Sequence, residues 1–139
     1  MIEINNLAKG YPLGSVDKKS FSTVAKNVLK GENRETENIS LAFVSKEEIK
    51  KLNKKFRNKN KPTDVLSFNL DEKDCLGDIV ICPDIVRENA KKYGNTIRAE
   101  MLKVFVHGIL HLLGYDHEKS EKEAEEMEKK QENYLSKTK

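Results

Sequence analysis

The chain predicts an α+β fold, a mixed sheet of roughly four strands with about five helices packed on it. Three observations carry that expectation. Short runs such as Ile2–Asn6 and Ile39–Val44 read as strands. Between them apolar residues recur at three- and four-residue steps, as on a helix with one buried face. Glycine, proline or a capping residue marks nearly every junction. At 139 residues, positions 1–139 are expected to form one domain with a core of its own.

Taken in order, Ile2–Asn6 is a short strand, followed by a loop punctuated by Gly10, Pro12 and Gly14. From Asp17 to Lys30 the residues Phe21, Val24, Ala25, Val28 and Leu29 share one helical face, and Gly31 stops the helix. A polar loop leads to the strand Ile39–Val44. Ser45 then caps a helix, with Glu48 completing a capping box and Ile49, Leu52 and Phe56 on its buried side. Asn58–Pro62 is a polar basic loop. Val65–Leu70 and Leu76–Cys82 flank an acidic turn at Asp71–Asp74 and should pair as an antiparallel hairpin, with Gly77 marking a bulge or a close backbone approach. Pro83 opens a helix that runs to Tyr93 and stops at Gly94. Asn95 or Thr96 caps the next helix, which continues to Leu113 and ends at Gly114. The last helix starts after His117 and has a thin inner stripe of Ala124, Met127, Gln131 and Tyr134. The alternation of strands and helices implies right-handed parallel crossovers.

Charged residues make up 35% of the chain, against about 25% on average, so a charged surface is expected over the core. The net charge of +3 is too small to argue for nucleic acid by itself. Its distribution says more. Between Lys46 and Lys61 there are eight basic residues against two acids, whereas acids dominate from Glu118 to Glu132. No run approaches the ~18 apolar residues of a membrane span. The opening residues lack the basic-then-apolar pattern of a secretory signal, so a cytoplasmic location is expected. Cys75 and Cys82 form no disulfide framework and match no zinc ribbon. They read as small, half-buried thiols in a reducing compartment.

All three histidines fall in one eleven-residue stretch, His107-Gly-Ile-Leu-His111-Leu-Leu-Gly-Tyr-Asp-His117. Residues four apart on a helix point the same way, one turn above the other. His107 and His111 therefore face one point, and the break at Gly114 lets His117 fold back towards it. The spacing matches the longer zincin motif. The helix around them, Val104–Leu113, is apolar almost all round, which marks it as a core helix. Burying an imidazole without partners costs roughly 1–3 kcal/mol. Two on one face are explained by a bound metal, or else by bonds to backbone carbonyls. Three imidazoles with no nearby thiolate indicate a catalytic rather than a structural ion, with one coordination position left for water or substrate. One zinc ion per chain is the expectation. The zincin motif has glutamate after its first histidine as general base. Here that residue is Gly108, which transfers no proton. Asp116 is a candidate base, or else holds a histidine from outside the coordination shell.

The segments HGILHLLGYDH (107–117), LNKKFRNKNKPTDVLSF (52–68) and LGDIVI (76–81) together resemble the YbeY family of endoribonucleases, in the expected order. The resemblance implies a single-strand-specific, metal-dependent endoribonuclease that acts in ribosome maturation and quality control, notably at the 3′ end of small-subunit ribosomal RNA. It implies zinc on His107, His111 and His117 and puts the family's functional arginine at Arg57. Phe56 and Asn60 stand where the family commonly has tyrosine and aspartate. The residues themselves agree with RNA: Arg57, Lys59 and Lys61 sit beside a lysine-lined helix, and such a patch attracts phosphates through counterion release. An arginine can also hold a phosphate with two parallel hydrogen bonds. Lys59 and Lys61 are accordingly candidate substrate contacts, whereas the lysines of the helix read first as a solvated face. The expected partners are ribosomal RNA and the small subunit, with no membrane and no DNA, and the chain is expected to be a monomer. Two other readings use the same residues: a metallopeptidase or amidase, which the glycine at 108 argues against, and a non-enzymatic ribosome-associated factor with a structural metal.

Overall fold

The computed structural model describes residues 2–6, 18–72, 74–116 and 118–137. The loop expected around Gly10, Pro12 and Gly14 lies outside the described residues, and so does His117. The elements in chain order are β1 (Ile2–Asn6), α1 (Lys18–Gly31), β2 (Asn38–Phe43), α2 (Lys46–Arg57), β3 (Val65–Glu72), β4 (Cys75–Ile81), α3 (Pro83–Tyr93), α4 (Ile97–Leu112) and α5 (Glu121–Ser136). This is an α+β arrangement with a mixed sheet. β2 pairs parallel with β4, and β3 pairs antiparallel with β4 as the hairpin reading requires. β1 joins parallel at the β2 edge, giving the order β1-β2-β4-β3.

Period-two alternation sorts the sheet residues between two faces. Ile39, Leu41 and Phe43 of β2 and Ile79 and Ile81 of β4 point to one face. There α1 brings Phe21, Val24 and Val28, and α4 brings Met101, Phe105 and Ile109. The ring of Phe21 meets Phe105 edge-on at 5.2 Å. On the other face Leu66, Val80 and Cys82 pack with Ile49 of α2. Gly77 fits both of its sequence readings. The β2–β4 register shifts beside it, and a Cβ there would run into the Phe68 backbone.

Three sequence expectations need correction, and one alternative is decided. Phe56 is 57% exposed rather than buried; the inner position of α2 is taken by Asn53, and Phe56 only leans on Phe68 at 5.1 Å. Cys82 ends no strand but is the residue before α3, and it is fully buried rather than half-buried. Of the two capping candidates Asn95 and Thr96, it is Thr96 that caps α4, its hydroxyl accepting from the Ala99 amide at 3.0 Å. Leu113 is the cap of α4 rather than its last turn.

Glu32, just after α1, ties three parts of the fold together. Tyr115 Oη donates to its Oε1 at 2.6 Å. Tyr134 Oη donates to Oε2, and Lys130 Nζ donates to the same oxygen at 3.1 Å. Burial alone would push the Glu32 carboxyl up, but the hydrogen bonds from Tyr115, Tyr134 and Lys130 outweigh it and hold the group below its ordinary 4.5. Burial and the bond to Glu32 push the Tyr134 phenol up to about 12. A carboxyl with a lowered folded pKa stabilises the fold above its unfolded value, and that contribution is lost as pH falls through the folded value. Glu32→Gln should therefore cost about 2 kcal/mol in urea unfolding at neutral pH. That gap should narrow once pH drops below 4.5. A gap of the same size at neutral and acid pH would show that the charge of Glu32 is not what matters.

Candidate metal centre

The two described histidines of α4 line a cleft together with Val65, Leu66, Ser67 and Asn69 of β3. His107 Nε2 and His111 Nε2 lie 3.1 Å apart, with ring centroids 4.6 Å apart. Tetrahedral zinc with Zn–N bonds of about 2.0–2.1 Å holds two ligand nitrogens about 3.3–3.4 Å apart. The spacing of the two nitrogens therefore fits two ligands of one ion. His107 Nδ1 is 3.0 Å from Gln131 Oε1. The amide oxygen can only accept, so Nδ1 carries the proton and Nε2 keeps its lone pair, which is the tautomer a metal ligand needs. Among the described residues no group of three His, Cys, Asp or Glu side chains forms a metal cluster. The third expected donor, His117, is not among those residues.

The height of α4 over the sheet is fixed from β3. Ser67 Oγ donates to the Gly108 carbonyl at 3.1 Å, and Asn69 Nδ2 donates to the Leu112 carbonyl at 2.9 Å. Gly108 permits that approach. A Cβ at 108 would sit 3.1 Å from Ile79 Cγ2 and 3.2 Å from Ser67 Oγ. Position 108 thus faces the sheet at close quarters, and any side chain there would require Ile79 and Ser67 to give way. The end of α4 closes as a Schellman turn: Tyr115 N donates to the Leu110 carbonyl and Gly114 N to the His111 carbonyl, both at 3.0 Å, with Gly114 at φ 103°. Tyr115 then reaches Glu32, so the chain leaving the second histidine is held at both ends of this turn. Asp116 Oδ1 accepts from the Glu118 amide at 2.9 Å. That bond brackets position 117 and commits one carboxylate oxygen to the turn.

The basic loop arrives from the other side. Arg57 is the last residue of α2, and Asn58 caps the helix in the left-handed region at φ 56°. Asn53, only 2% exposed, donates through Nδ2 to the Lys61 carbonyl at 2.8 Å, and its own carbonyl accepts from the Lys59 amide at 3.3 Å. One buried asparagine therefore anchors both ends of the segment that carries the two lysines. As a result Arg57, Lys59, Lys61, His107, His111 and Gln131 line a single cleft of about 540 Å³. Arg57 also shares a smaller hollow with His111 and Asp116. Its Nη2 lies 3.9 Å from Glu118 Oε1, and both side chains are about half exposed, so this ion pair is weak.

Sequence reasoning singled out Arg57, Lys59, Lys61, His107, His111, His117 and Asp116; the structure puts Arg57, Lys59, Lys61, His107 and His111 in one cleft and Asp116 in the adjoining hollow, while His117 lies outside the described residues. That reasoning missed Asn53 and Gln131, both buried polar residues that hold the others in place. The signal for Gln131 was present: a glutamine on the inner stripe of a helix needs a polar partner.

Comparison with known proteins bears on the whole arrangement. A Thermotoga maritima protein named Endoribonuclease YbeY is 50% identical over 97 residues, which cover 70% of this chain and 65% of that protein, just under two thirds of its length. A Thermosipho melanesiensis protein of the same name is 43% identical over 123 residues, 88% of each chain. A solution structure of a Thermotoga maritima protein superposes with a TM-score of 0.71 at 41% identity, covering 99% of this chain and 89% of that one. The family model described as Endoribonuclease YbeY matches residues 4–139. A match of that extent runs through the histidine helix and the basic loop alike, and the chain belongs to the YbeY family.

Proposed function

We propose that this chain is a metal-dependent endoribonuclease that cuts single-stranded RNA, with zinc on His107, His111 and His117. The observation that carries the reading is the pair of imidazole nitrogens 3.1 Å apart in a cleft whose other wall is Arg57, Lys59 and Lys61. A divalent cation bound there supplies Lewis-acid polarisation of a phosphoryl oxygen and activation of water near neutral pH.

The chain's own residues do the rest. Lys59 and Lys61 draw the phosphate backbone into the cleft. Arg57 grips the scissile phosphate with two parallel hydrogen bonds and offsets the charge that grows on its oxygens as the bond breaks. Gln131 keeps His107 in the tautomer that carries a lone pair on Nε2, the atom that would coordinate. Asp116, whose Oδ1 accepts from the Glu118 amide, serves in this reading to position the chain beside the cleft. Processing at the 3′ end of small-subunit ribosomal RNA, in the cytoplasm, is the cellular task the family resemblance supports. No helix among the described residues is long and apolar enough to cross a membrane.

The test is a parallel incubation of zinc-loaded protein with single-stranded RNA, with duplex RNA and with a peptide library, before and after chelation. Single-stranded RNA should be cut, cutting should stop with chelator and return with zinc, and peptides should stay intact. Peptide cleavage without RNA cleavage would make the protein a peptidase. Unfolding on chelation, with no cleavage of anything beforehand, would make the metal structural.

A further inference from the structure

We propose that Tyr93 is a stacking platform for an unpaired nucleobase of the bound RNA, at the end of the cleft remote from Arg57; the proposal rests on the ribonuclease reading above. The cleft follows one face of α4, on which Lys103, His107 and His111 succeed one another at four-residue steps. Arg57 stands at the His111 end, where the two share a hollow. Tyr93 stands at the other end, its ring 6.0 Å from Lys103 Nζ. Helix α4 rises about 12 Å between Lys103 and His111. That exceeds the ~3.4 Å of one stacked nucleotide, so the base on Tyr93 is not the one next to the bond that breaks.

Three features mark Tyr93 as built to receive a ring. It is 60% exposed, and of the large exposed apolar side chains among the described residues, Phe56, Tyr93 and Ile97, it is the one that lines the cleft. Its backbone is rigid: it ends α3, Gly94 follows in the left-handed region at φ 71°, and the Asn95 amide closes the turn on the Ala90 carbonyl at 2.8 Å. Two cations flank it, Lys92 Nζ at 5.4 Å from the ring and Lys103 Nζ at 6.0 Å, the latter also 4.0 Å from the Glu100 carboxylate. An exposed lysine on a tyrosine ring is a weak partner. A base has a larger π-face to offer, and its neighbouring phosphates give the Lys92 ammonium a better seat. Asn89, one turn before Tyr93 on α3, also lines the cleft and presents an amide to the edge of a base stacked there. Every base has a π-face, so the platform adds affinity for unpaired strands without choosing a sequence, and a duplex, whose bases are already stacked, gains nothing from it.

The experiment is stopped-flow anisotropy with a labelled single-stranded RNA of about 12 nucleotides, read before cleavage, and with versions carrying one abasic site at each position in turn. Tyr93→Ala should raise Kd about 5- to 100-fold. Tyr93→Trp should bind at least as well as the unmodified protein, and Tyr93→Leu should behave like the alanine variant. One abasic position should weaken the unmodified protein by the same factor and cost Tyr93→Ala nothing more. If Tyr93→Ala binds as tightly as the unmodified protein, or if no abasic position cancels its defect, the platform is ruled out while the ribonuclease reading stands. If the unmodified protein fails to bind single-stranded RNA at all, both fall.

Discussion

His111→Ala should leave the fold intact and abolish both stoichiometric zinc and RNA cleavage. The two Nε2 atoms converge at 3.1 Å, so removing one ring deletes a donor rather than merely shifting it. Losing a partner that only orients a ligand already weakens metal binding about 10- to 100-fold. Losing the ligand itself should exceed the upper end of that range. The ring is half-buried at the cleft wall, and the core of α4 is made by Phe105, Val106, Ile109 and Leu110, so the helix does not depend on it. Far-UV circular dichroism should superpose on that of the unmodified protein while elemental analysis finds less than one zinc in ten chains. Cleavage must be compared between preparations purified identically, because a trace of contaminating nuclease would survive in both. Equal cleavage by the two would mean that the activity belongs to the contaminant. Full zinc content in the variant would remove the histidines from the metal site.

How much of this was legible in the sequence depends on whether the signal is local. The paired histidines were readable because a four-residue step on a helix is a purely local geometry. Helix ends were readable for the same reason, and Gly94 and Gly114 each take the left-handed conformation that a helix stop requires. The inner face of α2 was misread. Periodicity counts an asparagine as an outward residue and a phenylalanine as an inward one, yet Asn53 is buried and Phe56 is not. What decides is a partner eight residues on: the Lys61 carbonyl needs a donor, and Asn53 supplies it. Likewise nothing near Gly108 in the chain says why glycine is there. The reason is the approach of Ile79 and Ser67 from two strands, one of them forty-one residues away. Glu32 is the same case, a polar loop residue in the sequence and a hub for Tyr115, Lys130 and Tyr134 in the fold. Contacts between distant segments put the histidine pair and the basic loop in one cleft, and a pattern read along the chain registers such contacts only where a buried polar residue betrays them.

Arg57→Ala should cut RNA about 10²–10³-fold more slowly, the size of effect seen when a donor to the developing negative charge is lost, with zinc content and thermal stability unchanged. Stability should hold because the side chain is 47% exposed and its ion pair with Glu118, at 3.9 Å, is long and solvated. Surface changes of that kind usually stay within about 0.5 kcal/mol. Arg57→Lys separates charge from shape. It keeps the positive charge at the end of α2 but cannot form the paired hydrogen bonds of a guanidinium. If Arg57 only attracts RNA, the lysine variant should match the arginine protein, and the alanine variant should raise KM with kcat unchanged. If Arg57 clamps the phosphate in the transition state, the lysine variant should recover KM but not kcat. Glu118 sharpens the distinction. If a phosphate binds Arg57, the Glu118 carboxylate 3.9 Å away is a weak competitor for the guanidinium. Glu118→Gln should then lower KM modestly in the arginine background and do nothing in the alanine background. A Glu118→Gln effect that persists without Arg57 would place the competition elsewhere, and an Arg57→Ala variant that cleaves at the full rate with its zinc in place would leave the phosphate without the clamp assigned to it here.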